Sequence, residues 1–332
     1  MAALYPLRFE PLWRRYLWGG RRLDSVLGKP LPAGENYAES WEVVDHGADQ
    51  SRVAFGPWQG TTLGALVGTH GHELFGVHSP QRQFPLLFKF LDAHQVLSVQ
   101  VHPSDAAAAQ LDPPDLGKTE AWVVVHAEPG SVLYAGLHAD VNRPALERAI
   151  AAGATASCLH GFEVHQGDCI FIPAGTVHAV GAGLVVAEIQ QASDTTFRLF
   201  DWNRVGPDGR PRELHIRQGL EVIDFQRGPV IPQTPQPTER AYVRRLVACD
   251  KFVLDRWHLL ESQAAGGDGR FHILAVLAGA VTVAGDPHHQ PLTRGQTALL
   301  PACIGPVPLT PIGPTVLLDM YLPYEVGSSE IC

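Results

Sequence analysis

No pair of cysteines in this chain stands in a CxxC spacing. The five present (Cys158, Cys169, Cys249, Cys303 and Cys332) are scattered and odd in number. That excludes a disulfide framework of the small secreted kind and predicts reduced thiols in a cytoplasmic protein. Positive charge is also in the minority, 25 Lys and Arg against 34 Asp and Glu, for a net charge of -9. A protein that grips nucleic acid over a wide face is therefore not expected, although a local basic pocket for one phosphate is compatible with this balance. The N-terminus, MAALYPLRFEPLWRR, has no apolar h-region and does not read as a signal peptide. The longest uncharged stretch, Gln296 to Leu318, contains prolines at 301, 306, 308, 311 and 314, so it cannot form an ordinary membrane-spanning helix.

What is plentiful is glycine (33) and proline (27), separating short runs rich in Val, Ile and Leu. This pattern predicts a mainly β protein of sandwich or barrel type with a few short helices. Candidate strands are 86–91, 96–102, 120–126, 131–134, 169–172, 184–190, 196–202, 272–277, 280–284, 297–300 and 315–321. Helices are expected at 142–153, where an asparagine cap, an early proline and a terminal glycine coincide, and more briefly at 104–111 and 216–225.

A weak internal repeat organises the chain. VHQGDCIFIPAGTVHAV (164–180) is echoed by LTRGQTALLPACIGPVP (292–308), and AWVVVHAEPGSVLYAG (121–136) by FHILAVLAGAVTVAG (271–285). The echo predicts two copies of one β-barrel: a catalytic domain over 1–230, a proline-rich linker over 231–240 and a second barrel over 241–332. Five residues past Pro173 stands His178, whereas five past Pro301 stands Pro306. The first copy is expected to hold the chemistry and the second to be structural.

In VLSVQVHPSD (96–105), Gln100 and His102 point to one side of a strand and Val99 and Val101 to the other. Two polar side chains aimed into one space need water, a hydrogen-bonded carboxylate or a metal ion there. Glu120 opens the apolar run EAWVVV, where an unpaired carboxylate would be costly. His178 follows PAGTVH, a turn shaped by Pro173 and Gly175. Gln100, His102, Glu120 and His178 together make a plausible open site for a divalent transition metal; taken singly, such a residue is more often a hydrogen-bonded structural one.

The segments FPLLFKFLDAHQVLSVQVHPSD, KTEAWVV and IPAGTVHAVGAGLVVAEIQQASDTTFRLFDWNR, in this order over roughly residues 84–204, resemble the motifs of the type I mannose-6-phosphate isomerases, zinc enzymes of the cupin class. AESWEVVDH (38–46) matches as well. The resemblance implies two cupin-type jelly-roll barrels and one Zn2+ per chain on Gln100, His102, Glu120 and His178. It also implies a phosphosugar substrate and interconversion of mannose 6-phosphate and fructose 6-phosphate through an enediol. The chain lacks the large helical insertion of the long members and resembles the short bacterial form.

An aldose–ketose isomerase needs a carbon base, a stabiliser for the enediolate and a phosphate anchor. Lys89 interrupts LLFKFL, either reaching solvent from an edge strand or meeting an anion. By resemblance Arg198, Glu188, Asp194 and Lys118 form the catalytic group, and Lys89 and Ser98 bind substrate. Glu188, Asp194, or Asp194 acting with His102, are the open choices for the base. The rival classes are an iron-dependent cupin oxygenase and a non-catalytic sugar-sensing cupin. A small-molecule partner, no nucleic acid, no membrane and a monomer are expected.

Overall fold

A computed structural model of the chain describes residues 2–206 and 209–324. The backbone divides into two compact units. One comprises Glu10–Ser51 and Phe84–Gln233; the other is assembled from Met1–Phe9, Arg52–Gln83 and Thr234–Cys332. The chain changes unit at Gln233/Thr234 and also near residues 10, 52 and 84, so neither unit is the continuous segment expected from the repeat.

The first unit is built on two antiparallel sheets. The larger runs, edge to edge, Cys169–Ile172, Glu120–Ala127, Leu184–Gln191, Leu86–Ala93, Glu39–Val43 and Leu12–Arg14. The smaller runs Leu159–Glu163, Val132–Leu137, His178–Val180, Val99–Val101 and Phe197–Phe200. Between them lies one apolar core that takes Leu91, Trp122, Val124, Leu184 and Val186 from the larger sheet and Leu133, Ala135 and Val180 from the smaller. The other face of the smaller sheet is covered by the helices Arg143–Ala151 and Ile216–Val222, which pack on Val99, Val101, Ala179 and Leu199 through Leu146 and Leu220.

Strand alternation then dictates what enters the space between the sheets. Along Leu184–Gln191 the inward row reads Leu184, Val186, Glu188, Gln190; along Glu120–Ala127 it reads Glu120, Trp122, Val124. The barrel interior is apolar at one end and ionic at the other.

The second unit carries the same arrangement. Its larger sheet runs Gln236–Pro237, Val243–Ala248, Val253–Leu259, Thr315–Tyr321, His272–Ala278 and Thr297–Leu300; its smaller runs Gln263–Gly266, Pro306–Pro311, Ala280–Val283 and Leu292–Thr293. Trp257, Leu274, Val276 and Leu317 meet Val281, Val283, Val307 and Leu309 in its core. The larger sheets of the two units have one strand order.

The helix Arg143–Ala151 begins where expected, with the Asn142 side chain accepting the Ala145 N–H at 3.0 Å. A longer helix, Leu63–Phe75, was not expected; it starts at Thr62, whose hydroxyl accepts the Ala65 N–H. Among the described residues no helix is long and apolar enough to cross a membrane.

Candidate metal centre and substrate cavity

Three chain segments bring the expected ligand residues Gln100, His102, Glu120 and His178 together. Gln100 lies on the short strand Val99–Val101 directly opposite His178, so pairing of these strands places the two side by side. The Gly175 N–H donates to the His102 carbonyl at 2.9 Å, which ties the turn before His178 to the segment of His102. Gly175 has φ +86° there, a conformation that glycine adopts without strain. The Lys118 N–H donates to the Pro103 carbonyl at 3.0 Å and closes the loop that delivers Glu120.

In the resulting cluster one ligand atom each from His102, Glu120 and His178 lies within 4.8 Å of the others. His178 Nε2 is 3.3 Å from Glu120 Oε1, and His102 Nε2 is 3.5 Å from Glu120 Oε2. Gln100 adds its amide 3.2 Å from His178 Nε2; a half-turn about its last bond presents the carbonyl oxygen instead. All three ionisable members are buried, at 0–1% exposure. Both imidazoles are anchored through Nδ1 to backbone carbonyls, His102 to Thr195 (3.0 Å) and His178 to Thr176 (2.9 Å). That leaves each Nε2 lone pair aimed at the common centre. His102 Nε2 and both Glu120 oxygens have no hydrogen-bond partner. Buried acceptors left this way are costly unless a cation sits among them, so the residues fit a divalent metal.

Electrostatics agree. Burial, then Lys118, holds His102 well below the ordinary histidine value, and burial holds His178 at about 4, so both are neutral ligands at physiological pH. Burial, then the charge of Glu188, pushes the Glu120 carboxyl up; a dication would favour its ionised form.

Beside the cluster opens a cavity of about 250 Å3. Lys89, Ser98, Gln100, Lys118, Glu188, Asp194 and Arg198 all line it. Lys89 is not on an edge: its strand pairs with Leu184–Gln191 on one side and Glu39–Val43 on the other. It meets Glu188 at 3.3 Å and Glu39 at 3.6 Å, and Lys118 lies 3.4 Å from Glu120 and 3.9 Å from Glu188. Burial raises the Glu188 carboxyl, but Lys89 and Lys118 outweigh it and keep Glu188 below its usual range. Glu188 is therefore a fixed anion between two ammonium groups. Asp194 is exposed at the cavity wall and has no ion pair or hydrogen bond among the described residues. Arg198 is half-buried and donates from Nε to Ser98 Oγ at 3.3 Å.

Sequence reasoning missed Tyr16, Glu39, Trp122 and Arg212, which also line the cavity. Glu39 lay within AESWEVVDH and faces inward on its strand, where Trp41 Nε1 donates to it at 2.5 Å. Arg212 is held toward the cavity by Asp201, at 2.7 Å from Nε.

Behind the candidate ligands Asp115 braces the loop that carries Asp194. Its Oδ2 accepts from Ser193 Oγ (2.7 Å) and Thr195 Oγ1 (2.6 Å), and Thr195 in turn holds His102. Burial pushes the Asp115 carboxyl up, but its hydrogen bonds with His46, Thr195 and Ser193 outweigh this and hold it well below the carboxylate range. Asp115→Asn is expected to weaken metal binding about 10–100-fold, the scale of losing such an outer support. Competition against a chelator measures this, and unchanged affinity would show that His102 needs no brace.

Two imidazoles, a glutamate and a glutamine at the open end of a β-barrel, beside a cavity lined by lysine and arginine, form a candidate metal site of the cupin type. Residues 7–121 match the family described as phosphomannose isomerase type I, catalytic domain. The chain is 35% identical over 304 residues to the mannose-6-phosphate isomerase ManA of Bacillus subtilis, covering 90% of this chain and 94% of that one. It is 34% identical to the mannose-6-phosphate isomerase of Streptococcus mutans, over 90% of this chain and 93% of that one. A crystal structure of the mannose 6-phosphate isomerase from Bacillus subtilis superposes with a TM-score of 0.87 at 28% identity, covering 96% of this chain and all of that one. The chain belongs to the type I phosphomannose isomerases.

Proposed function

We propose that this protein interconverts D-mannose 6-phosphate and D-fructose 6-phosphate in the cavity described above, with one zinc ion on Gln100, His102, Glu120 and His178. The observation that carries the reading is the buried His102–Glu120–His178 cluster, with His102 Nε2 and both Glu120 oxygens lacking a hydrogen bond, opening onto a cavity lined by Lys89, Lys118 and Arg198. A mixed nitrogen and oxygen donor set with no thiolate suits zinc, and a redox-inert ion suits an isomerisation. When bound, zinc supplies Lewis acidity that lowers the energy of negative charge developing on substrate oxygen.

The residues divide the remaining work. Asp194 is the carbon base, because Glu188 is committed to Lys89 and Lys118 whereas Asp194 is free to take a proton. Lys89 and Lys118 donate hydrogen bonds to the sugar oxygens, and Glu188 holds both ammonium groups in place. Ser98 and Arg212 anchor the phosphate, and Arg198 faces the oxygen on which charge develops. All these groups come from one chain, so a monomer suffices. Cys158, Cys169, Cys249 and Cys303 are free thiols, in keeping with a cytoplasmic setting.

Purified, zinc-loaded protein should form fructose 6-phosphate from mannose 6-phosphate in a coupled assay, and no turnover would reject the reading. In D2O, Asp194→Asn should abolish both turnover and exchange of the substrate C2 hydrogen while metal content holds. Exchange at the wild-type rate would transfer the base role to Glu188.

A further inference from the structure

The second barrel repeats the first in register as well as in strand order. His272 lies opposite Leu300, the residue before Pro301, as Glu120 lies opposite Ile172, the residue before Pro173. Asp319 lies opposite Asp255, as Glu188 lies opposite Lys89. Gly266 lies opposite Pro306, as Gln100 lies opposite His178, and Asp268 stands two residues beyond Gly266 as His102 stands two beyond Gln100. The ligand positions of the first barrel thus become Gly266, Asp268, His272 and Pro306 in the second.

Two of these positions, Asp268 and His272, remain ionisable and join further buried charges. His272, Asp255 and Asp319 are at most 4% exposed. His272 Nδ1 is 2.8 Å from Asp319 Oδ1, and its Nε2 is 3.1 Å from Asp268 Oδ1. Tyr321 donates to Asp255 at 2.7 Å, and Arg270 lies over the Tyr321 ring at 4.3 Å. A barrel that served only to pack would gain by replacing such buried ion pairs with hydrocarbon. It would also close up, because interiors tolerate few voids; here a cavity of about 350 Å3 opens against these residues. In its wall stands Trp257, 2% exposed, whose indole N–H has no hydrogen-bond partner.

The chemistry of the lining narrows the ligand. A metal is not favoured: both ring nitrogens of His272 are taken by carboxylates, and glycine and proline occupy two of the former ligand positions. A strongly charged ligand is not favoured either. Arg240, Arg245, Arg270 and His272 are balanced by Glu239, Asp255, Asp268 and Asp319, whereas the first cavity sets Lys89, Lys118, Arg198 and Arg212 against Glu39, Glu188 and Asp194. Adjacent acceptor and donor pairs such as Asp268–Arg270, together with the aromatic wall of Trp257 and Tyr321, match the vicinal hydroxyls of a sugar. The volume stands at the small end of ligand pockets. We propose that the second barrel binds a neutral monosaccharide in this cavity.

Titration of the zinc-loaded full chain with D-mannose, followed by the indole N–H resonances, tests this. Trp257→Phe identifies the Trp257 resonance, while Trp18 and Trp122 report separately on the catalytic cavity. The expected result is a saturable shift of the Trp257 resonance with a Kd on the order of 1 mM. Arg240→Ala, at the exposed rim, should weaken that binding about tenfold with turnover unchanged. No Trp257 shift at a hundredfold higher concentration would overturn the proposal. So would a shift produced by inorganic phosphate and not by mannose. Should Trp257→Phe fail to fold, a wild-type crystal soaked in mannose decides: sugar density between Asp268 and Trp257 supports the site, and its absence there overturns it.

Discussion

His102→Ala is expected to leave a folded protein that retains little metal and whose kcat/KM falls about 10³-fold, the equivalent of roughly 4 kcal/mol of lost transition-state stabilisation. His102 Nε2 and the two Glu120 oxygens are the buried atoms of the cluster with no hydrogen-bond partner. Removing the imidazole takes away one donor and leaves the Glu120 carboxylate facing a hole beside Glu188. Burial and the Glu188 charge already push that carboxyl up against the pull of Lys118, so loss of the metal favours its protonated form. His102→Gln keeps most of the side-chain volume and guards against collapse of the site. It should bind metal more tightly than the alanine variant and less tightly than wild type. Metal analysis after dialysis, with circular dichroism as the folding control, gives the readout. Full metal content together with full activity in His102→Ala would remove His102 from the ligand set. Treatment of the wild type with EDTA should reproduce the loss, with recovery on adding zinc.

The parts of this site legible in the sequence were those governed by strand alternation. Gln100 and His102 share a face because Val99 and Val101 are drawn under the helices on the other side. Lys89 and Glu188 stood out as charges in otherwise apolar runs, and the structure pairs them across adjacent strands. Capping chemistry placed the helix at Arg143–Ala151 for the same local reason. What escaped was set by tertiary contact or masked by composition. The helix Leu63–Phe75 contains Gly64, Gly68 and Gly71, which argue against a helix on propensity alone. In the strand Glu39–Val43 all five residues are buried, so no alternation marks Glu39 as inward-facing. Asp115 and Arg212 lie in loops, and only folding shows that one braces Thr195 and the other is held by Asp201. The assembly of the second unit from three separate segments is likewise a product of long-range pairing, such as that of Leu7 with Leu299.

Arg198→Ala should separate rate from metal binding. We expect kcat to fall 10²–10³-fold with zinc content unchanged and a smaller change in KM, the pattern of a contact made chiefly in the transition state. Two of the five guanidinium N–H donors are used, on Ser98 Oγ and the Glu213 carbonyl; the rest have no partner among the described residues. Burial, then the like charge of Arg212, depresses the Arg198 guanidinium pKa, although it remains cationic at neutral pH. A cation held against burial and a neighbouring cation is worse off in the free protein than it would be beside an anion. The alanine variant should therefore lose no thermal stability in the absence of substrate, and that distinguishes a functional arginine from one that merely covers apolar surface. Arg198→Lys keeps the charge without the planar fork and should recover only part of the rate. A rate equal to wild type with zinc retained would show that the charge developing in the cavity is met by Lys89 and Lys118 alone.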